Sequence, residues 1–300
     1  MIIKSCRLVR DGWETTILKL SPVLFAKYRY FKLRKRRPNL RNPESFDEKL
    51  LWLMLYWRNP LKGQCGDKYE MRGYVNDQGL GHLLPELLGV YRHSREIDFA
   101  LLPDRFVLKC THGSGFNIIC GNKAHLDIAE ARRTLDKWMR RDFSKAFGEI
   151  HYAQMMPRII CERFLDDLES ALPRDYKVYC FHGKARYIMV CTGRSVDGGH
   201  AAYHFYDREW RERLPFDKTT AFLNCDIQKP EGLEVMIDAA ERLSQPFPFV
   251  RIDFYCIRGR VVLGEMTLTP AGCIDTDLVD FGQRLFGSLI NLPPKRLKWE

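Results

Sequence analysis

Phe249-Val250-Arg251-Ile252-Asp253-Phe254-Tyr255, running through Cys256 to Arg260 into Val261-Val262-Leu263-Gly264-Glu265-Met266-Thr267-Leu268-Thr269-Pro270, is the stretch on which the reading of the chain turns. Both arms are rich in β-branched and aromatic residues, and Arg258-Gly259 between them supplies turn chemistry, so the pair reads as a β-hairpin. With a side-chain period of two, Arg251 and Asp253 share one face of the first arm, and Leu263, Glu265 and Thr267 share one face of the second. Two carboxylates and a guanidinium on adjacent strands form a place for a divalent cation and a polyphosphate. An ordinary cross-strand salt bridge accounts for the same residues equally well. Register separates the two readings. A two-residue turn sets Ile257 opposite Arg260 and Asp253 opposite Gly264, which sends Glu265 to the other face. A metal shared by Asp253 and Glu265 therefore requires an odd-length connection or a bulge near Ile257–Arg260.

Upstream lies a second group of candidates. Phe106-Val107-Leu108-Lys109 reads as a buried strand ending in a lysine, followed by Cys110-Thr111-His112-Gly113-Ser114-Gly115-Phe116-Asn117 and a returning strand, Ile118-Ile119-Cys120. A glycine turn between two strands lays backbone N–H groups over phosphates while the lysine reaches them from the side. The loop is not a Walker A sequence, because its lysine precedes the glycines. Taken alone, it also reads as a plain hairpin turn.

Arg158 to Leu165 reads as a strand into a loop, and Asp175-Tyr176-Lys177-Val178-Tyr179-Cys180-Phe181 as a strand that puts Asp175, Lys177 and Tyr179 on one face. His182-Gly183-Lys184 turns it back into Tyr187 to Cys191, and Val196 to His200 reads as a glycine-containing loop. Asn42-Pro43-Glu44 opens a helix in which Phe46, Leu50, Leu53 and Trp57 recur at helical spacing, and Asp67-Lys68-Tyr69 begins another run to Val75. It recurs from Leu126 to Phe147, and through Leu233, Met236, Ile237, Ala240 and Leu243 after Pro230. Ser21-Pro22 starts the first helix, with Leu24, Tyr28 and Phe31 at helical spacing. Lys27, Arg29, Lys32, Arg34, Lys35, Arg36 and Arg37 crowd the same segment, which reads as a solvated basic face or a surface for membranes or polyanions.

Composition bounds the partners. With 300 residues, 45% hydrophobic and 29% charged, the chain can bury a sizeable core. Its net charge of +10 favours an anionic partner without naming it. The ten cysteines are scattered with no C-x-x-C spacing, which argues against a disulfide or zinc framework. Unpaired thiols in that number, with no apolar run suited to a signal peptide or a span, point to the cytoplasm.

The order of these pieces resembles the ATP-grasp superfamily. Asn42-Pro43-Glu44-Ser45-Phe46, Asp67-Lys68-Tyr69, Phe106-Val107-Leu108-Lys109, His112-Gly113-Ser114-Gly115, Asp175-Tyr176-Lys177 and Gly264-Glu265-Met266-Thr267 are together similar to the TupA-like, or teichuronopeptide-biosynthesis, ATP-grasp family, over Ser21 to Ile274. The resemblance implies an α+β fold in which two lobes with antiparallel sheets grip ATP. The expected division is a helical basic N-terminal region (residues 1–65), an N-lobe (66–165) and a C-lobe (166–300) with the metal and phosphate site.

Residue by residue, the resemblance casts Lys68 and Lys109 as phosphate-directed lysines, and His112, Gly113, Ser114 and Gly115 as the loop over the phosphates. Glu162, Arg163, Phe164 and Leu165 become the hinge at the adenine, with Asp175 near the ribose and Lys177 near the phosphates. Arg251, Lys109 and Lys177 are the catalytic cations, and Asp253, Glu265 and Thr267 the magnesium ligands. Thr267 stands where many superfamily members place asparagine, and a hydroxyl is a weaker ligand than an amide carbonyl, so one or two metal ions both stay open.

The implied activity is carboxylate–amine ligation through an acyl phosphate in cell-surface polysaccharide (capsule or teichuronopeptide) biosynthesis. Its cofactors would be ATP and Mg2+, and its partners an acidic sugar or glycan carboxylate and an amine. No nucleic acid is expected, and the expected location is cytoplasmic with peripheral contact at an anionic inner membrane face. A sugar or lipid kinase, a glycosyltransferase, or a nucleic-acid or membrane-surface binding module are the alternatives.

Overall fold

The computed structural model describes residues 2–4, 12–144, 148–149, 152, 155–166, 173–193, 201–218, 220 and 227–294. In chain order these form β1 (Ile2–Lys4), α1 (Gly12–Leu20), α2 (Pro22–Arg34), α3 (Phe46–Tyr56), α4 (Leu61–Gly66), α5 (Glu70–Asp77), β2 (Leu87–Tyr91), β3 (Phe106–Cys110), β4 (Asn117–Cys120) and α6 (Ile128–Met139). Then follow β5 (Ile159–Arg163), β6 (Asp175–Phe181), β7 (Lys184–Thr192), β8 (Ala202–Asp207), β9 (Arg213–Leu214), α7 (Leu233–Ser244), β10 (Phe249–Ile257), β11 (Arg260–Thr267) and α8 (Asp280–Ser288).

Two sheets carry the fold. The first runs β1-β4-β3-β5-β2 and the second β11-β10-β6-β7-β8-β9, with antiparallel pairing throughout. On the first sheet, α6 buries Ala131, Leu135 and Trp138 against Phe106, Leu108, Phe116 and Ile118. Asp127 starts this helix by accepting the Glu130 N–H at 2.8 Å. It ends at Met139, and Phe143 still reaches the same cluster from beyond it; residues 145–147 of the expected helical run lie outside the described residues.

The second sheet is covered on both faces. On one, α7 packs Leu233, Met236 and Ala240 against Val178, Cys180, Val250 and Ile252. On the other, α3 and α8 bring Phe46 and Phe286 onto Tyr179, Phe181 and Phe249, with Phe46 edge-on to Phe249 at 5.0 Å and to Phe286 at 5.3 Å. Helix α3 is thus part of this core. A capping box starts it, the Glu48 N–H donating to Ser45 and the Ser45 N–H donating back to Glu48. Because α3 is apolar nearly all round, Leu50 to Leu55 are all buried.

Alternation explains a change of character along β6 and β10. Tyr179, Phe181 and Phe249 enter the aromatic core, whereas Asp175, Lys177, Arg251 and Asp253 lie further along the same strand faces, beyond it. Strands β1, β8 and β9 and helices α1 and α8 lie in stretches without a reading in the sequence, so Ser21-Pro22 starts the second helix and not the first. Residues 196–200, read as a loop, lie outside the described residues.

The turn at Arg258-Gly259 is a two-residue one, with Ile257 opposite Arg260 and both turn residues left-handed (φ 51° and 76°). The expected irregularity near Ile257–Arg260 is therefore corrected. It sits instead between Asp253 and Phe254, where the register steps over Gly264. Leu263 pairs with Phe254 and Glu265 with Asp253. One extra residue in β11 restores Glu265 to the Asp253 face and moves Leu263 off it, into the core with Phe254.

Candidate functional site

The face shared by β6, β10 and β11 carries a connected set of charges. Arg251 grips Asp253 with both arms, Nε to Oδ1 and Nη2 to Oδ2, each at 2.7 Å. Lys177 stands between Asp253 Oδ2 at 2.5 Å and Asp175 Oδ2 at 2.6 Å. Arg251 Nη2 also donates to Thr267 Oγ1 at 3.2 Å and lies 3.6 Å from Glu265 Oε1, which accepts from Thr267 at 3.2 Å. Burial pushes Asp253 above the ordinary carboxylate range, against the pull of Arg251 and Lys177. Burial alone would also lower Lys177 and raise Glu265, but their neighbours reverse both. Asp175 and Asp253 raise the lysine, and Lys68, Lys177 and Arg251 hold Glu265 at about 2.

From the first sheet come the other cations. Lys109, at the end of β3, pairs with Glu162 Oε2 at 2.5 Å, and Glu162 Oε1 also takes Arg72 at 3.2 Å. Lys68 donates to the Gly113 carbonyl at 2.5 Å, tying the lysine to the glycine loop. That loop has no room for side chains at Gly113, where a Cβ would lie 2.8 Å from Phe116 and from Phe143. Gly115 takes the left-handed conformation at φ 75°. Ser114 faces a cavity, but His112 is buried beside Phe116, with Nε2 3.2 Å from the Trp138 carbonyl, and burial lowers its pKa. It belongs to the packing behind the loop.

Two cavities border these groups. The larger, of about 290 Å³, is lined by Lys68, Ser114, Arg251, Glu265 and Thr267 and, on its far wall, by Glu149, Tyr152, Thr269 and the Pro270–Gly272 turn. The smaller, of about 120 Å³, is lined by Val107, Lys109, Ile119, Tyr255 and the run Glu162, Arg163, Phe164 and Leu165. A mixed wall of aliphatic side chains, an aromatic ring and a strand-end backbone suits a flat heteroaromatic ring. Side chains of the run also bind each other's surroundings: Arg163 pairs with Glu86, and Arg105 lies over the Phe164 ring at 4.1 Å.

The predicted residues thus assemble, with His112 set apart. Glu149, Tyr152 and Thr269 escaped the sequence reading. Glu149 accepts the Thr269 hydroxyl, and burial raises its carboxyl to about 7 against that bond and Arg29. Beside it, Ala271, Gly272 and Cys273 are all left-handed, at φ 51°, 60° and 69°. This strained turn is steadied by Arg29, whose Nη1 donates to the Gly272 carbonyl at 3.2 Å. The only signal in the sequence was the Pro270-Ala271-Gly272 punctuation.

Among the described residues, no group of three or more His, Cys, Asp or Glu side chains gathers around one point. Glu265 and Asp253 nevertheless face the same way, and Glu265 is partly exposed. That donor set fits Mg2+, which is commonly held by one or two carboxylates together with substrate phosphates.

The TupA-like ATPgrasp family matches residues 48–291 of the chain. No curated protein matches it. Among solved structures, D-alanine--D-alanine ligase from Bacillus anthracis, complexed with ATP, is 14% identical with a TM-score of 0.42, over 69% of this chain and 55% of that one. L-amino acid ligase from Bacillus licheniformis is 12% identical with a TM-score of 0.43, over 84% of this chain and 49% of that one. The chain therefore spans only about half the length of these ligases.

Proposed function

Because the chain belongs to the TupA-like ATP-grasp family, we propose that it is an ATP-dependent carboxylate–amine ligase. The observation that carries this reading is the convergence of Lys68 and Ser114 from one side, and Arg251, Glu265 and Thr267 from the other, on a single cavity. We take residues 66–165 and 166–300 as the two lobes, with α3 from the first 65 residues packed into the second. The adenine would lie in the smaller cavity against the Glu162–Leu165 run, with Asp175 toward the ribose.

Glu265 and Asp253, with Thr267 alongside, would hold Mg2+, which when bound neutralises phosphate charge. The chain's own cations do the rest. Lys109, Lys177 and Arg251 are already paired with Glu162, Asp175 and Asp253, so they are oriented before any nucleotide arrives. As a substrate carboxylate attacks the γ-phosphorus, these cations stabilise the charge spreading over the phosphoryl oxygens, and the acyl phosphate and ADP form. An amine then attacks the acyl carbon, phosphate leaves, and the amine loses a proton as the amide forms.

The basic surface suits an acidic sugar or glycan carboxylate, and the reading places the enzyme in cytoplasmic polysaccharide assembly, capsule or teichuronopeptide, with peripheral contact at an anionic membrane. No helix among the described residues is long and apolar enough to cross a membrane. The test is ADP release from MgATP with uronic acids or acidic glycan fragments and a panel of amines, with hydroxylamine as a trap. Hydroxamate formation marks an acyl phosphate. ADP release that needs a hydroxyl acceptor and yields no hydroxamate would assign a kinase instead.

A further inference from the structure

Helix α2 is apolar on two opposite sides. Its inner side buries Phe25, Ala26 and Tyr30. The residues whose spacing reads as its packing face, Leu24 and Phe31, stand 57% and 51% exposed, and Leu20 just before the helix is 77% exposed. At 3.6 residues per turn, Leu24, Lys27 and Phe31 follow one outward stripe of α2, and exposed Leu20, the last residue of α1, and Lys35, the left-handed C-cap, flank its two ends. Large apolar side chains lined up in water are unusual on a free surface.

The charge that this segment itself carries is of one sign. No acidic residue occurs from Pro22 to Arg37. Not every basic residue there is free: Arg34 is sunk against Asp47 at 2.6 Å and the Asp275 carbonyl at 2.5 Å, and Lys32 pairs with Glu14 at 2.8 Å. Lys27, Lys35 and Arg37 are exposed and form no ion pair among the described residues.

We propose that the outward stripe of α2 docks on an anionic phospholipid surface, with Leu20, Leu24 and Phe31 seated at the headgroup boundary and Lys27, Lys35 and Arg37 on the lipid phosphates. A convex helix edge offers no groove to a folded partner, whereas lipid conforms to it. A second copy of this chain would oppose like charges across the contact. The inner side of the same helix carries Arg29, whose bond to Gly272 reaches the wall of the larger cavity. That cavity therefore lies about one helix diameter, ~10–12 Å, from the lipid. This last step rests on the ligase reading and names its carboxylate substrate as an acidic sugar still attached to lipid.

The experiment is flotation of the full chain, without nucleotide, on phosphatidylcholine vesicles with and without phosphatidylglycerol. Binding to the anionic vesicles alone is expected. Lys27→Gln with Lys35→Gln should weaken it at low salt by roughly 25-fold, about fivefold for each charge. Leu24→Ser with Phe31→Ser should weaken it by about tenfold or more even in high salt, where the charges are screened. Leu101→Ser, at a residue 83% exposed elsewhere, should change nothing. Unfolding midpoints equal to the parent's keep the exposed variants interpretable.

Failure to bind anionic vesicles, or binding indifferent to Leu24 and Phe31, overturns the proposal. Capture of an acidic polypeptide in place of vesicles through the same residues overturns it in favour of a protein partner. ADP release is measured separately, so its absence would remove the ligase reading and leave the flotation result standing. Lipid-linked acceptors consumed no faster than free ones would remove only the final step.

Discussion

Replacing Glu149 by glutamine isolates one buried proton. The carboxyl sits in the wall of the larger cavity, and burial raises it from an ordinary 4.5 to about 7, with the Thr269 hydroxyl and Arg29 pulling the other way. A carboxyl raised in the folded state binds more protons folded than unfolded between those values. Its contribution to stability is fully present below about pH 4.5 and is lost as pH rises through about 7. At 1.36 kcal/mol for each tenfold change in proton concentration, the window from 4.5 to about 7 amounts to about 3 kcal/mol. Glutamine keeps a carbonyl oxygen for the Thr269 hydroxyl and cannot ionise. Urea unfolding of parent and Glu149→Gln at intervals from about pH 4 to about pH 8 should therefore show a stability difference that is flat at the acid end. It should then move in favour of the variant by up to about 3 kcal/mol by about pH 8. A difference that stays flat throughout would refute the assignment of a buried, proton-holding carboxyl at this wall.

Lys109→Ala should keep the fold, since Glu162 retains Arg72, while nucleotide-dependent turnover falls by several kcal/mol in the transition state; calorimetric ATP titration and ADP release check this. Asp253→Asn leaves Arg251 and Lys177 without their shared carboxylate and should destabilise by about 3–5 kcal/mol in denaturant melts. Adding Lys177→Met should return about 1–3 kcal/mol of coupling in a double-mutant cycle. Gly264→Ala brings a Cβ within 3.1 Å of the Tyr255 ring and 3.2 Å of the Asp253 carbonyl, so about 1–3 kcal/mol of stability should be lost together with Mg2+-dependent nucleotide binding. Glu265 stays ionised down to about pH 2, so nucleotide affinity should show no titration of this carboxylate between about pH 5 and 8.

Local chemistry was legible in the residues because it is decided within a few positions. Ser21-Pro22 starts its helix, Arg258-Gly259 turns the hairpin, and strand alternation puts Lys177 with Asp175 and Arg251 with Asp253, whereas α3 opens at Ser45 with Glu48 and not at Asn42-Pro43-Glu44. The order of these motifs also disclosed the family. Whatever depended on a partner element was decided only in three dimensions. Whether Glu265 faces Asp253 hangs on one unpaired residue, and an alternating pattern cannot show which residue the ladder skips; packing of Leu263 with Phe254 selects Gly264. Spacing marks an apolar stripe on α2 but not which side the protein covers, and the α2 core contacts fall to Phe25, Ala26 and Tyr30. The cavity wall of Glu149, Tyr152, Thr269 and the left-handed turn at Ala271–Cys273 is built from segments with no period at all, brought together by burial and by an arginine more than two hundred residues away in sequence.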